Sequence, residues 1–231
     1  MAARRKQLLD SIRPGAGTQD AQRWQQVKSS QTRQGILDAA MMILVEGGYA
    51  RLTTVRITQD AGISRGAMHH HFANRDELIA ALVDHVLYRR MRHFLDEYLR
   101  DIAALPKESA LAIATELYWR SVQSDEYAAY LELALAARSD TALRSVFIPA
   151  AKRFDAIWND EMVHSFPNWS HIHEQMRLTN DIVQSACLGM LLHEPVVGEA
   201  RTREQRALLI EIVRRVHGGL RGKQAELPDL L

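Results

Sequence analysis

The single cysteine, Cys187, is too few for an intrachain disulfide, so covalent staples are excluded and a reducing, cytoplasmic setting is expected. No apolar stretch approaches the roughly 20 residues that a membrane-crossing helix needs. The opening MAARRKQLLD has no hydrophobic run behind it, so it does not read as a signal peptide. Strand-like alternation is scarce along the whole chain. Equally missing are a glycine-rich phosphate loop, a His-Glu-x-x-His pair and a nucleophile elbow. These absences argue against an enzyme, and neither a cofactor nor a metal is expected.

What the chain does contain is enough apolar material for a sizeable core. It has 231 residues, 47% of them hydrophobic and 25% charged, which suits one large or two modest soluble domains. The net charge of +1 hides an asymmetry. Residues 1–75 carry 11 Lys and Arg against 5 Asp and Glu, and the remainder carries 18 against 23. A basic front ahead of an acidic body suggests that the front meets a polyanion.

Apolar residues recur three and four apart in one segment after another, so the fold class is all-α. Residues 1–22 form a polar, basic arm broken by RPGAGTQD. A first helix is expected over 23–46, burying Ile36, Ala40, Ile43 and Leu44 and stopped by Gly47 and Gly48. Thr53 or Thr54 can cap a short helix reaching Ala61. Gly62 suits a left-handed turn, Ile63 points inward, and Ser64 caps a second short helix over 65–71. Asn74 then caps a long helix to about Ile102, with Asp76 and Glu77 at its positive end. Later helices are expected near 107–123, 126–138, 140–165, 169–194 and 202–220. Pro149 should kink or split the third of these, and HEPVVGEART reads as the clearest late loop.

Two short helices joined by a tight glycine turn make a helix-turn-helix, whose second helix enters the major groove. The stretch SRGAMHHHF, residues 64–72, fits that helix. Ser64 leaves N-terminal amides able to face a phosphate. Gly66 costs up to about 1 kcal/mol in a helix, a cost that makes sense where the backbone must approach DNA closely. Ala67 can meet a thymine methyl, and Arg65 can reach guanine or phosphate. Successive helical residues diverge by about 100°, so His69, His70 and His71 cannot chelate one metal from one face. Met68 and Phe72, four apart, form the inner stripe; His69 and His70 fall outward, and His71 lies at the margin. His171 and His173 are two apart and point away from each other, so metal sensing is not expected there either.

Residues 33–83, RQGILDAAMMILVEGGYARLTTVRITQDAGISRGAMHHHFANRDELIAALV, resemble the N-terminal domain of tetracycline-repressor (TetR) family regulators. ILDAA, EGGY, LTTVRI, AGIS and SRGAMHHHFANRDEL occur in order at the family's spacing. The resemblance implies a helix-turn-helix domain over 23–75 and a helical effector-binding and dimerisation domain over 76–231. It also implies phosphate contacts from Thr54 and Arg75, the latter where the family often has lysine. Arg65, Gly66, Ala67 and His70 are implied to face base edges. His69 stands where the family usually has a tyrosine that contacts the DNA backbone.

For the rest of the chain the resemblance implies a homodimer, a palindromic DNA operator and a small-molecule effector that releases a repressor. One candidate interface stripe is Leu208, Leu209, Ile212, Val213 and Val216. A second is Ile182, Val183, Ala186 and Met190, where Gly189 allows close packing. Tyr88, Met91, Trp119, Phe147, Trp158 and Met162 are the candidate pocket residues, and an apolar or aromatic effector suits such a lining. An activator, or an architectural protein with no effector, stays open as the alternative.

Overall fold

A computed structural model describes residues 23–102, 110–165 and 173–220, with side chains placed over 29–97, 115–160 and 173–216. The basic arm of residues 1–22 and His171 lie outside the described residues, as does the side chain of Met162. Among the described residues there are nine α-helices and no strand. They are α1 (Arg23–Gly47), α2 (Thr54–Asp60), α3 (Arg65–His71), α4 (Arg75–Ile102), α5 (Ala110–Val122), α6 (Asp125–Ala136), α7 (Thr141–Ser165), α8 (His173–Val197) and α9 (Glu199–Leu220). A single 3-10 turn, Tyr49–Arg51, joins α1 to α2.

The caps fall where the sequence signals put them. Thr53 is the residue that caps α2, its Oγ1 accepting from Arg56 N at 3.2 Å, so Thr54 is the first helical residue. Ser64 Oγ accepts from Ala67 N at 3.1 Å. Asn74 Oδ1 accepts from Glu77 N at 2.9 Å, while Glu77 Oε2 accepts from Ala73 N at 2.8 Å. This reciprocal pair satisfies two amides that the start of a helix leaves open. Gly48 and Gly62 take the left-handed φ values of 73° and 64° that end α1 and turn α2 into α3.

One expectation fails. HEPVVGEART is not a loop: α8 runs through Pro195 to Val197, and Gly198 alone separates it from α9. Gly198, at φ 85°, supplies in one residue the left-handed stop that a longer loop would otherwise provide. Its carbonyl then accepts both Thr202 N and Thr202 Oγ1 at 3.2 Å, tying down the start of α9. Pro149, expected to kink or split α7, lies inside a helix that is unbroken from Thr141 to Ser165, so the split does not occur.

Packing divides the chain into two compact units, and the division does not follow the functional boundary expected at residue 75. One unit holds the described residues up to Leu95 together with Ser124–Trp158. Its core gathers Ile36, Leu44 and Ile57 with Phe72, Leu82 and Leu133, so the short helices share one apolar interior with α1, α4 and α6. His85 on α4, only 2% exposed, lies with Nε2 2.9 Å from Asp38 Oδ1 on α1. The Gln34 amide donates to His85 Nδ1 at 3.3 Å, which leaves the ring proton on Nε2 to bond Asp38. Burial alone would raise the Asp38 carboxyl, but the hydrogen bond from His85, with the charge of Arg89 beside it, holds it below its ordinary value. Arg89 extends the network to Glu126 at the start of α6.

The other unit holds Asp96–Gln123 and the described residues from Asn159 onward. There α5, α8 and α9 pack on one another around Leu117, Val183, Cys187, Met190, Leu209 and Val213. Arg206 on α9 reaches Glu116 on α5 at 2.7 Å and lies over the Trp119 ring, 5.0 Å from its centroid. Cys187 is fully buried, and burial, followed by the charge of Glu116, pushes its thiol up to about 12.

Candidate nucleic-acid interface

The helix pair is anchored by its buried side chains and offers the others outward. Ile57 and Thr58 of α2 and Met68 of α3 are buried, as is Phe72, the residue that caps α3 at its C-terminus. Replacing a side chain buried like Phe72 with alanine costs roughly 3–5 kcal/mol, enough to hold a seven-residue helix that cannot persist alone. Arg65, Gly66, His69 and His70 are exposed, and Ala67 is half-buried. These residues share the N-terminal and outer face of α3, which is the face a groove-binding helix presents.

Gly66 gives the most informative local geometry. A Cβ built there would meet nothing within 4 Å except Ser64 Oγ at 3.8 Å. No intramolecular contact therefore requires a glycine at this position, and its helix cost has no return inside the molecule.

Charge sorts the arginines in the same region. Arg56 is occupied, pairing with Asp60 at 2.7 Å and Glu46 at 3.8 Å. Arg33, Arg51, Arg65 and Arg75 form no ion pair within the described residues. Arg33 and Arg75 are instead positioned over aromatic rings: Arg33 lies 4.7 Å from the Phe72 centroid and Arg75 5.8 Å from that of Tyr49. A guanidinium held over a ring keeps its N–H fork available for an oxyanion. His71, at the margin of α3, is held below the ordinary histidine value by burial, then by the charges of His70 and Arg33.

The sequence reading singled out Arg65 and Arg75 but missed Arg33. Its only signal is a cation three residues before Ile36, the first buried residue of α1 among those whose side chains are described. That spacing says nothing of the Phe72 ring 39 positions further on. Tyr49 was read only as part of a helix stop, although its ring carries Arg75.

The proposed pocket residues are distributed by the fold. Met91 and Phe147 are buried in the first unit, with Tyr88 and Trp158 packed against the same core; Trp119 is buried in the second. A cleft of about 700 Å³ in the first unit is lined instead by residues 45–51 with Glu132, Leu135 and Ala136. No group of His, Cys, Asp and Glu among the described residues could hold a metal ion. No described helix is long and apolar enough to cross a membrane.

The two interface stripes also separate. Val183, Met190, Leu209 and Val213 are at most 8% exposed and belong to their own unit's core. Ile182 and Leu208, each 62% exposed, and Ile212 and Val216 face outward, and Ala186 is half-buried. Leu178, Leu192 and Val196 are further exposed apolar residues of α8.

A short helix pair whose second helix presents Arg65, Gly66, His69 and His70 outward has the form of a DNA-binding helix-turn-helix. Residues 36–82 match the family model of bacterial regulatory proteins, tetR family, and the chain is similar over most of its length to regulators of that kind. It is 28% identical over 193 residues to an uncharacterised HTH-type transcriptional regulator of Mycobacterium tuberculosis, covering 81% of this chain and 97% of that one. A transcriptional regulator from Rhodococcus sp. Rha1 shares the fold with a TM-score of 0.59 at 15% identity, over 79% of this chain and 96% of that one. A Saccharomonospora viridis protein solved in complex with choline aligns with a TM-score of 0.57 at 13% identity, over 80% and 96%.

Proposed function

We propose that the protein is a repressor that binds a palindromic operator as a homodimer and leaves it when a small molecule binds. The observation that carries the DNA-facing part is Gly66, open on every side in a helix that would be more stable without it. In this reading Arg65, Gly66, Ala67 and His70 face base edges, while Thr54, His69 and Arg75 contact phosphates. Ser64 presents the α3 amides to the same backbone.

The dimer is supported by a continuous outward seam. Leu178, Ile182, Ser185, Gly189, Leu192 and Val196 are all exposed and repeat every three or four residues along α8, which places them on one helix face. The Gly189 Cβ position is open, so the middle of that face is low enough for a second helix to lie close. Leu208, Ile212 and Val216 make a matching exposed row on α9. A two-fold axis would cover both rows with their own copies, as an isologous interface does.

The effector is read as apolar or aromatic, met by Tyr88, Met91, Phe147 and Trp158, which share the core of the first unit. The structural relative that holds choline adds a second probe, because quaternary ammonium groups bind aromatic faces. The test begins by selecting a duplex from a random pool. Binding should be two protomers per duplex and should weaken steeply with salt. Indole and choline are then scanned for raising the melting temperature and lowering DNA affinity together, as linkage requires. Equal affinity for scrambled duplexes at moderate salt overturns the reading. A ligand that binds without changing DNA affinity removes its effector part.

A further inference from the structure

We propose that Asp140, at the corner between α6 and α7, is an internal counter-ion for Arg75 that competes with DNA phosphate for its guanidinium. The corner then sets how strongly the protein grips DNA. The proposal rests on Arg75 as a phosphate contact, as read above.

Asp140 is fixed at both oxygens. Oδ1 accepts from Leu143 N at 2.9 Å and so caps α7. Oδ2 accepts from the Tyr49 hydroxyl at 3.2 Å. Tyr49 is gripped a second time by α6, because its N–H donates to Glu132 Oε2 at 3.3 Å. Gly48 gives the carboxylate room: it takes φ 73°, and a Cβ there would stand 2.7 Å from that same Glu132 oxygen, which would have to shift. The turn between α1 and α2 is thus docked on two carboxylates of the α6–α7 region, and the Arg75 guanidinium lies over the ring of the docked tyrosine.

Arg75 opens α4 and, among the described residues, has no ion pair. It is nevertheless within the field of Asp140. The Leu143 N–H first, then the Tyr49 hydroxyl, the Ala142 N–H and the charge of Arg75 hold the Asp140 carboxyl below its ordinary value. A direct pair would have to be broken before DNA could bind. A carboxylate held one tyrosine away draws the guanidinium without closing on it, and it repels an incoming phosphate. Both effects lower DNA affinity, and both vanish with the Asp140 charge.

Asp140→Asn isolates that charge. Asparagine caps helices as well as aspartate does; with its one oxygen on Leu143 N, its NH2 can donate to the Tyr49 hydroxyl, which accepts as well as donates, so the corner keeps its shape. Because phosphate contacts are blind to sequence, a random-sequence 30-base-pair duplex at low salt is a sufficient probe. Fluorescence anisotropy is measured for wild type, Asp140→Asn, Arg75→Gln and the double variant. Asp140→Asn should bind roughly two- to fivefold tighter, the scale of one screened surface charge. That gain should shrink as salt rises and disappear in the Arg75→Gln background. Unchanged or weaker binding by Asp140→Asn overturns the proposal, as does a gain that persists without Arg75. If Arg75→Gln binds like wild type, the phosphate contact itself is wrong and the proposal falls with it.

Discussion

His85 Nε2 lies 2.9 Å from Asp38 Oδ1, joining the long helix α4 to α1 across the interior of the DNA-binding unit. The imidazole is buried, while the Asp38 side chain is 40% exposed. The pair therefore acts as a polar latch whose outer half meets water. It fixes α4 against α1, and through them the turn that carries α2 and α3.

Removing His85 leaves a cavity and strips partners from Asp38 and Gln34. His85→Ala should cost about 2–4 kcal/mol, read as a lower denaturation midpoint with an unchanged slope. A cost within about 0.5 kcal/mol would show that the latch does not hold the unit together.

Asp38 predicts the acid side of the stability curve. Its carboxyl is depressed in the folded protein, so its contribution is complete above the ordinary value near 3.8 and is lost as pH falls towards the folded value. Asp38→Asn should therefore flatten the stability curve below about pH 4. Melting curves between pH 2.5 and 7 that remain parallel for the two proteins would refute the assignment.

Much of this arrangement was legible in the sequence, and the exceptions share a cause. Thr53, Gly62, Ser64 and Asn74 mark their own turns and caps because the physics is local, a matter of three or four residues. Burial of Met68 and Phe72 follows from a four-residue spacing. The latch between positions 38 and 85 carries no local signal, and neither does Arg33 over Phe72 or Tyr49 against Asp140. Those contacts depend on which helix faces meet. Pro195 misled because proline usually ends a helix, whereas here Gly198 ends it. The apolar stripes of α8 and α9 were visible as stripes, but periodicity could not separate Val183 and Val213, which fill the core, from Ile182 and Ile212, which face outward.

That separation makes the dimer testable without unfolding the protomer. Ile182→Glu with Leu208→Glu changes two side chains that are 62% exposed, so helicity should be retained. The sedimentation mass should drop from two chains to one, because each glutamate would lie against an apolar partner. A dimer that survives both substitutions places the interface elsewhere.

The lone cysteine should be silent in the native state. With its thiol pushed up to about 12 and its side chain fully buried, Cys187 lacks both the thiolate and the access that reagents need. Ellman's reagent should label it only after denaturation. Fast labelling of the native protein would mean that α5, α8 and α9 open far more readily than their packing suggests.

Histidine gives the DNA complex a pH dependence. His71 is held below its ordinary value by burial and then by the neighbouring charges of His70 and Arg33; a phosphate brought close would offset those charges and favour its protonated form. Proton uptake on binding means that affinity rises as pH falls from about 8 to 6. His71→Gln should flatten part of that rise at constant ionic strength. His69→Tyr should keep specific binding, and His70→Ala should alter base preference at one position of each half-site.

The central claim is that α3 enters a DNA groove closely enough to demand a glycine, and Gly66→Ala tests it most directly. The added methyl meets only open space within the protein, and alanine is the better helix former by up to about 1 kcal/mol. The variant should melt a few degrees higher, on the order of 1–3 °C, and lose at least roughly tenfold in affinity for its selected duplex, with Gly66→Leu losing specific binding altogether. A variant that is more stable and still binds that duplex like wild type would contradict the account, because α3 would not then be the helix that meets DNA.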